Sequence, residues 1–169
     1  MQTAIKDARV RFESDFASRF TDDIETNRNL IKRFGDTLGV ARLFSSDIVE
    51  ETVRSLGIKA PVYCGTIVTH YTSHDTTGQS YGLPFHQDWP SMASSDNSVI
   101  LWISLTDCRP DTHGLEVAPG HHISGVLEGE HHPVGYKFSR QRYDDGIVLP
   151  VSAGDVVLMS PYLPQPDIY

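Results

Sequence analysis

Cysteine is scarce: Cys64 and Cys108 are the only two in 169 residues. Two thiols cannot make a disulfide framework, and reduced cysteines in a cytosolic protein are the expectation. Long hydrophobic runs are missing as well. A membrane helix needs roughly 20 consecutive apolar residues, and no stretch supplies them. The opening MQTAIKDARVRFESDF has no apolar core of a signal peptide, so the expected location is the cytoplasm. Cations are outnumbered, 14 Lys and Arg against 22 Asp and Glu, for a net charge of -8. That balance argues against nucleic acid and anionic membranes as partners and is silent on small molecules. Repeats and low-complexity tracts are absent. What remains is a chain with 39% apolar and 21% charged residues, a globular composition. It is long enough to bury a core as one domain, 1–169.

The texture changes near residue 61. Before it, apolar residues recur at helical spacing. Ile5, Ala8, Phe12, Phe16 and Phe20 predict a helix over 4–19. Leu30, Ile31 and Phe34 predict a second from about Asp23 to Leu38. A third is expected from Asp47, which can cap it, with Glu50 as return partner and Gly57 just past its end. Arg28, Lys32 and Arg33 read as a solvated face. Residues 1–60 thus form a helical layer without a chemical motif.

After residue 61, β-branched and aromatic residues alternate with turn formers. Strands are expected over Val62–Tyr71, Asn97–Thr106, Leu115–Ala118, Ile147–Pro150 and Asp155–Ser160. Ser73–Ser80 reads as a polar loop and Asp107–Gly114 as a turn-rich connection. In the strand from Asn97, one face is Val99, Leu101, Ile103 and Leu105. The other, Ser98, Ile100, Trp102 and Ser104, suits a cavity wall. Helices first and short strands later predict an α+β domain with a jelly-roll core over 61–169.

The chemistry centres on His86-Gln87-Asp88. Residues two apart on a strand share a face, so an imidazole and a carboxylate would stand side by side. Such a pair can hold a divalent metal, and a second histidine would complete the facial triad of non-haem iron oxygenases. Alone, the tripeptide also fits a surface turn, because the chain holds eight histidines. His121-His122 and His131-His132 are expected in loops. No cysteine or acid stands beside them at the spacing of structural zinc.

The order of motifs goes further. His86-x-Asp88 is followed by an apolar strand with Trp102, then Gly114-Leu-Glu-Val-Ala-Pro-Gly-His-His122, then Gly154-Asp-Val-Val157. From about Val62 to Ser160 this resembles the phytanoyl-CoA dioxygenase family of Fe(II)/2-oxoglutarate oxygenases. The resemblance implies a double-stranded β-helix (jelly-roll, cupin-like) with N-terminal helices buttressing one sheet. It implies Fe(II) as metal, 2-oxoglutarate as cosubstrate, and hydroxylation of a small organic substrate with formation of succinate and CO2. His86 and Asp88 match the first two ligands. Family members that halogenate lack the carboxylate, so Asp88 points to hydroxylation. Trp102 and His70 match positions near the cosubstrate, where core packing is the bland reading of each. His122 matches a histidine that is more often structural than ligating.

One position departs from the pattern. The family's second histidine stands a few residues past G-D-V-V, where this chain has Gln165. The arginine that grips 2-oxoglutarate would come about one strand later, beyond Tyr169. The expectations are therefore a C-terminally truncated domain lacking its last strand or strands, impaired turnover, and an exposed edge that could pair two copies as a homodimer. A single base inserted into CAC-CGG-ACA-TAT reads Gln-Pro-Asp-Ile in place of His-Arg-Thr-Tyr. A frameshift is thus one account of the ending, and truncation with a native glutamine is the other. A non-catalytic jelly-roll binding module with a relic metal site is the alternative function. A cupin-type metal enzyme with histidines clustered on strands is a third.

Overall fold

A computed structural model describes residues 2–64, 67–71, 85–92, 95–109, 114–132, 135–138 and 143–166. The expected loop at 73–80, the approach to His86 at 81–84 and the connection at 110–113 lie outside these. The chain divides into two compact units, Met1–Ser73 and His74–Tyr169.

The first unit is helical: α1 (Gln2–Arg11), α2 (Ile24–Gly35), α3 (Leu38–Phe44) and α4 (Asp47–Ser55). α1 does not run on to residue 19. The turns widen over Phe12–Phe16 and tighten over Ala17–Arg19. The widened turn serves packing, because Phe12 and Phe16 both meet Phe34, at ring separations of 5.0 and 5.5 Å. Asp23 caps α2 by accepting the Thr26 amide at 2.9 Å, which satisfies one of the helix's orphan donors. Threonine hydrogen bonding lowers the Asp23 pKa, from the side chain of Thr26 first and its amide second. The expected second helix is α2, which stops at Gly35; Thr37 then starts a further helix, α3, that runs through Gly39, the expected end. Asp47 is not the cap of α4. It is the first helical residue, Ser46 precedes it, and Glu50 pairs with Arg54 at 2.8 Å instead of reaching back. The stripes Leu30, Ile31 and Phe34, Val40 and Leu43, and Val49 and Val53 are buried.

The expected strand over Val62–Tyr71 is not formed among its described residues. They pack on the helical unit instead: the Thr69 hydroxyl donates to the Ile31 carbonyl of α2 at 2.6 Å, and Tyr71 contacts Phe12 and Phe20 ahead of it. No helix of the described residues is long and apolar enough to cross a membrane.

The second unit is built of antiparallel pairs. β1 (Ile100–Ile103) pairs with β6 (Val156–Met159), β2 (Leu115–Val117) with β5 (Ile147–Leu149), and β3 (Gly129–His132) with β4 (Gly135–Phe138). Single bridges join Cys108 to Val151 and His86 to Gln165. The pairs are nested: each encloses the next, from 86 with 165 inward to the β3–β4 hairpin. One long antiparallel arm therefore folds back on itself. Trp102 and Ile100 of β1, with Val157 and Met159 of β6, pack against Leu115, Val117 and Leu149 of β2 and β5. The face expected to line a cavity is thus joined, at Ile100 and Trp102, to the apolar cluster. His131 and His132 lie on β3 and not in a loop, while His121 and His122 lie in a short helical turn.

The motifs have local reasons. Gly154 takes φ of 98°, which an L side chain resists, so that Asp155 can accept the Ser152 amide at 2.7 Å and turn the chain into β6. Gly120, at φ 85°, makes the corresponding turn after Pro119.

Candidate metal centre

The stretch Phe85-His86-Gln87-Asp88 is buried throughout, and its alternate residues do different work. Phe85 packs with Ala118, Phe138 and Tyr143. Gln87 is 1% exposed and uses its whole amide. Its Nε2 donates to the carbonyls of Gly125 and Tyr162, at 2.9 and 2.5 Å, and its Oε1 accepts the Leu127 amide at 2.9 Å. Phe85 and Gln87 hold the backbone, and His86 and Asp88 present the imidazole and the carboxylate.

The other side is Pro161-Tyr162-Leu163-Pro164-Gln165-Pro166. Pro161 and Pro164 are fully buried, and their rings fix φ. Proline has no amide hydrogen, so Gln165 is the donor at this point. It exchanges both backbone bonds with His86, at 2.9 and 3.0 Å, while the Pro164 carbonyl accepts from Ala118. Trp89 closes the turn: its amide donates to the Pro161 carbonyl, and its indole stacks on Tyr162 at 4.8 Å. The Tyr162 hydroxyl donates to Asp96 at 2.6 Å, which is the main reason its pKa is pushed up to about 12.

These backbone constraints bring three buried side chains together. His86 Nε2 lies 3.5 Å from Asp88 Oδ1, and Gln165 Nε2 donates to Asp88 Oδ2 at 2.6 Å. An unprotonated carboxylate oxygen only accepts, so the end of the amide on Asp88 Oδ2 is the nitrogen, and the amide oxygen is the end left over. That oxygen, Gln165 Oε1, is buried with no hydrogen-bond partner among the described residues. Leaving it so costs about 1–3 kcal/mol. The His86 and Asp88 donors are spaced for a divalent cation. Ligands about 2.1 Å from one ion stand about 3.0–3.4 Å apart at angles of 90–109°, close to the His86–Asp88 spacing. A cation would also give Oε1 the partner it lacks. Among the described residues no group of three or more His, Cys, Asp and Glu is placed to hold a metal.

The other expected site residues stand elsewhere. Trp102 is half-buried against the β1–β6 and β2–β5 cluster. His70 is exposed in the first unit. His122 is exposed, and it is His121 that makes contacts, to both Asp145 oxygens at 3.1 and 2.9 Å and to the Tyr143 ring. Gln87 and Tyr162 escaped sequence reasoning. The only local signal for Gln87 was its place between the two ligand candidates.

A buried His-x-Asp pair beside antiparallel β-strands has the donor types of a metal site. The family follows from the whole sequence: the model of phytanoyl-CoA dioxygenase (PhyH) matches residues 3–164, and the chain belongs to that family. No curated protein matches the chain. Among solved structures it is similar to a non-heme monooxygenase, ThoJ, in its apo form, with a TM-score of 0.64, 14% identity, and coverage of 98% of this chain and 63% of that one. A ThoJ–Ni complex gives a TM-score of 0.59 and 14% identity, covering 98% of this chain and 62% of that one. The chain therefore spans less than two thirds of the length of these structures. At such identity the likeness is one of fold.

Proposed function

We propose that this chain is an Fe(II)/2-oxoglutarate oxygenase domain of the phytanoyl-CoA dioxygenase type, hydroxylating a small organic substrate in the cytoplasm. The observation that carries the reading is the buried convergence of His86, Asp88 and Gln165, with one amide oxygen left without a partner. Family membership supports the reaction class, and the nested antiparallel arm with two packed sheets supports a jelly-roll core.

His86 and Asp88 would hold the metal. Bound iron would supply coordination positions for 2-oxoglutarate and the redox chemistry of oxygen use. The protein's part is to hold those two side chains in a dry place. The Gln165 amide orients one carboxylate oxygen and leaves Oδ1 beside the imidazole. Gln87 ties the backbone between them to two loops. By family position Trp102 would stand on the cosubstrate side.

The second reading is a non-catalytic binding module with a relic site. The bond from Gln165 to Asp88 favours it, because an amide already occupies one carboxylate oxygen. Two measurements decide. Fe(II) or Mn(II) is titrated anaerobically into the protein and into Asp88→Ala, and succinate is followed with 2-oxoglutarate, iron and oxygen. Binding by the parent only, with slow succinate formation, is expected. Equal binding by both proteins would sink the metal site. Binding without succinate would favour the module.

A further inference from the structure

We infer that Gln165 is itself a metal ligand, through Oε1, and that it makes this centre a one-nitrogen, oxygen-rich site for a hard divalent cation. The inference rests on the metal-site reading above and adds the donor set and the selectivity. Gln165 is 6% exposed, and its Oε1 is both buried and without a partner, while its Nε2 is held on Asp88. An amide fixed by its nitrogen cannot rotate to hide its oxygen without breaking a bond to a carboxylate. The backbone cannot carry it away either, because Gln165 is doubly bonded to His86 between two prolines. The same residue therefore orients one ligand with its nitrogen and offers another with its oxygen.

The consequence is chemical. Imidazole favours Fe, Ni, Cu and Zn, whereas carboxylate and carbonyl oxygens suit Mg and Mn. With one imidazole, one carboxylate and one amide oxygen, the preference for Ni(II) over Mn(II) is compressed. A second imidazole at residue 165 would restore it.

The test is Mn(II) and Ni(II) binding to the full chain, read by the loss of the free Mn(II) EPR signal and by competition. Pulsed EPR counts the imidazole nitrogens on bound Mn(II). The parent should show one. Gln165→Leu should weaken Mn(II) by on the order of tenfold or more. Gln165→His should show two nitrogens and tighten Ni(II) at least about tenfold more than Mn(II). Urea unfolding of each variant without metal establishes that it is folded. If Gln165→Leu binds Mn(II) like the parent while Asp88→Ala does not, the site stands and the ligand assignment falls. If Asp88→Ala also binds like the parent, or the parent binds neither ion, the site falls and the inference with it. Two nitrogens in the parent, or equal tightening of both ions by Gln165→His, would overturn the one-nitrogen donor set.

Discussion

Two buried glutamines stand on facing arms of the second unit, and they are opposites. Gln87 has every amide group bonded to backbone of the loops around it. Gln165 has its nitrogen bonded and its oxygen stranded. Both are nearly inaccessible, so burial does not separate them. Satisfaction does. A saturated amide is a cross-link, and its removal leaves other groups unpaired. An unsaturated one lowers stability in the empty site, and that cost is recovered when a ligand arrives.

Four measurements test that contrast. Gln87→Ala should have the largest effect, about 4 kcal/mol of lost stability in urea unfolding, because two carbonyls and one amide lose their partner together. A loss under about 1 kcal/mol would mean that water replaces the amide easily, and Gln87 would not be a cross-link.

Metal comes next. Mn(II) at a hundredfold excess over its Kd should stabilise the parent by about 2.7 kcal/mol. Asp88→Ala should gain nothing. Equal stabilisation of both would place the ion elsewhere.

Gln165→Leu without metal should unfold within about 1 kcal/mol of the parent. It loses the bond to Asp88 but also removes the stranded oxygen, and the two terms are of similar size. A loss as large as that of Gln87→Ala would show Gln165 to be a second structural cross-link.

The smallest effect concerns Tyr162, whose carbonyl serves Gln87 and whose hydroxyl serves Asp96. Its folded pKa, about 12, lies above the ordinary value of 10.0. The contribution is therefore present in full below pH 10 and is lost as pH rises towards 12. Tyr162→Phe should be slightly less stable than the parent at neutral pH, and the difference should vanish in strong alkali. A difference independent of pH would remove the hydroxyl–carboxylate bond from the account.

Part of this was legible in the chain. The apolar stripes of the helices, the start of the second helix near Asp23, the approximate strands at 100–103, 115–117, 147–149 and 156–159, and the His86–Asp88 pair all follow from local periodicity and side-chain chemistry. Such features depend on residues close in sequence, where the backbone repeat sets which side chains meet. Misreadings occurred where long-range packing overrode local preference. The widened turn at Phe12–Phe16 answers to Phe34. The β-rich stretch 62–71 finds α2 in place of a ladder partner. Glu50 finds Arg54 in place of a helix end.

The sequence alone placed a histidine and a carboxylate two residues apart in the β-rich half of the chain, and its motif order put Gln165 at the family's third-ligand position; their burial came with the fold. Only the tertiary structure decided what that glutamine does. The prolines, the double backbone bond to His86 and the burial of the site together hold its nitrogen on Asp88 and leave its oxygen without a partner. Nothing within a few residues of Gln165 specifies this. The outcome depends on which groups from the other arm, nearly eighty residues away, are left to accept and to donate once the chain has folded back on itself.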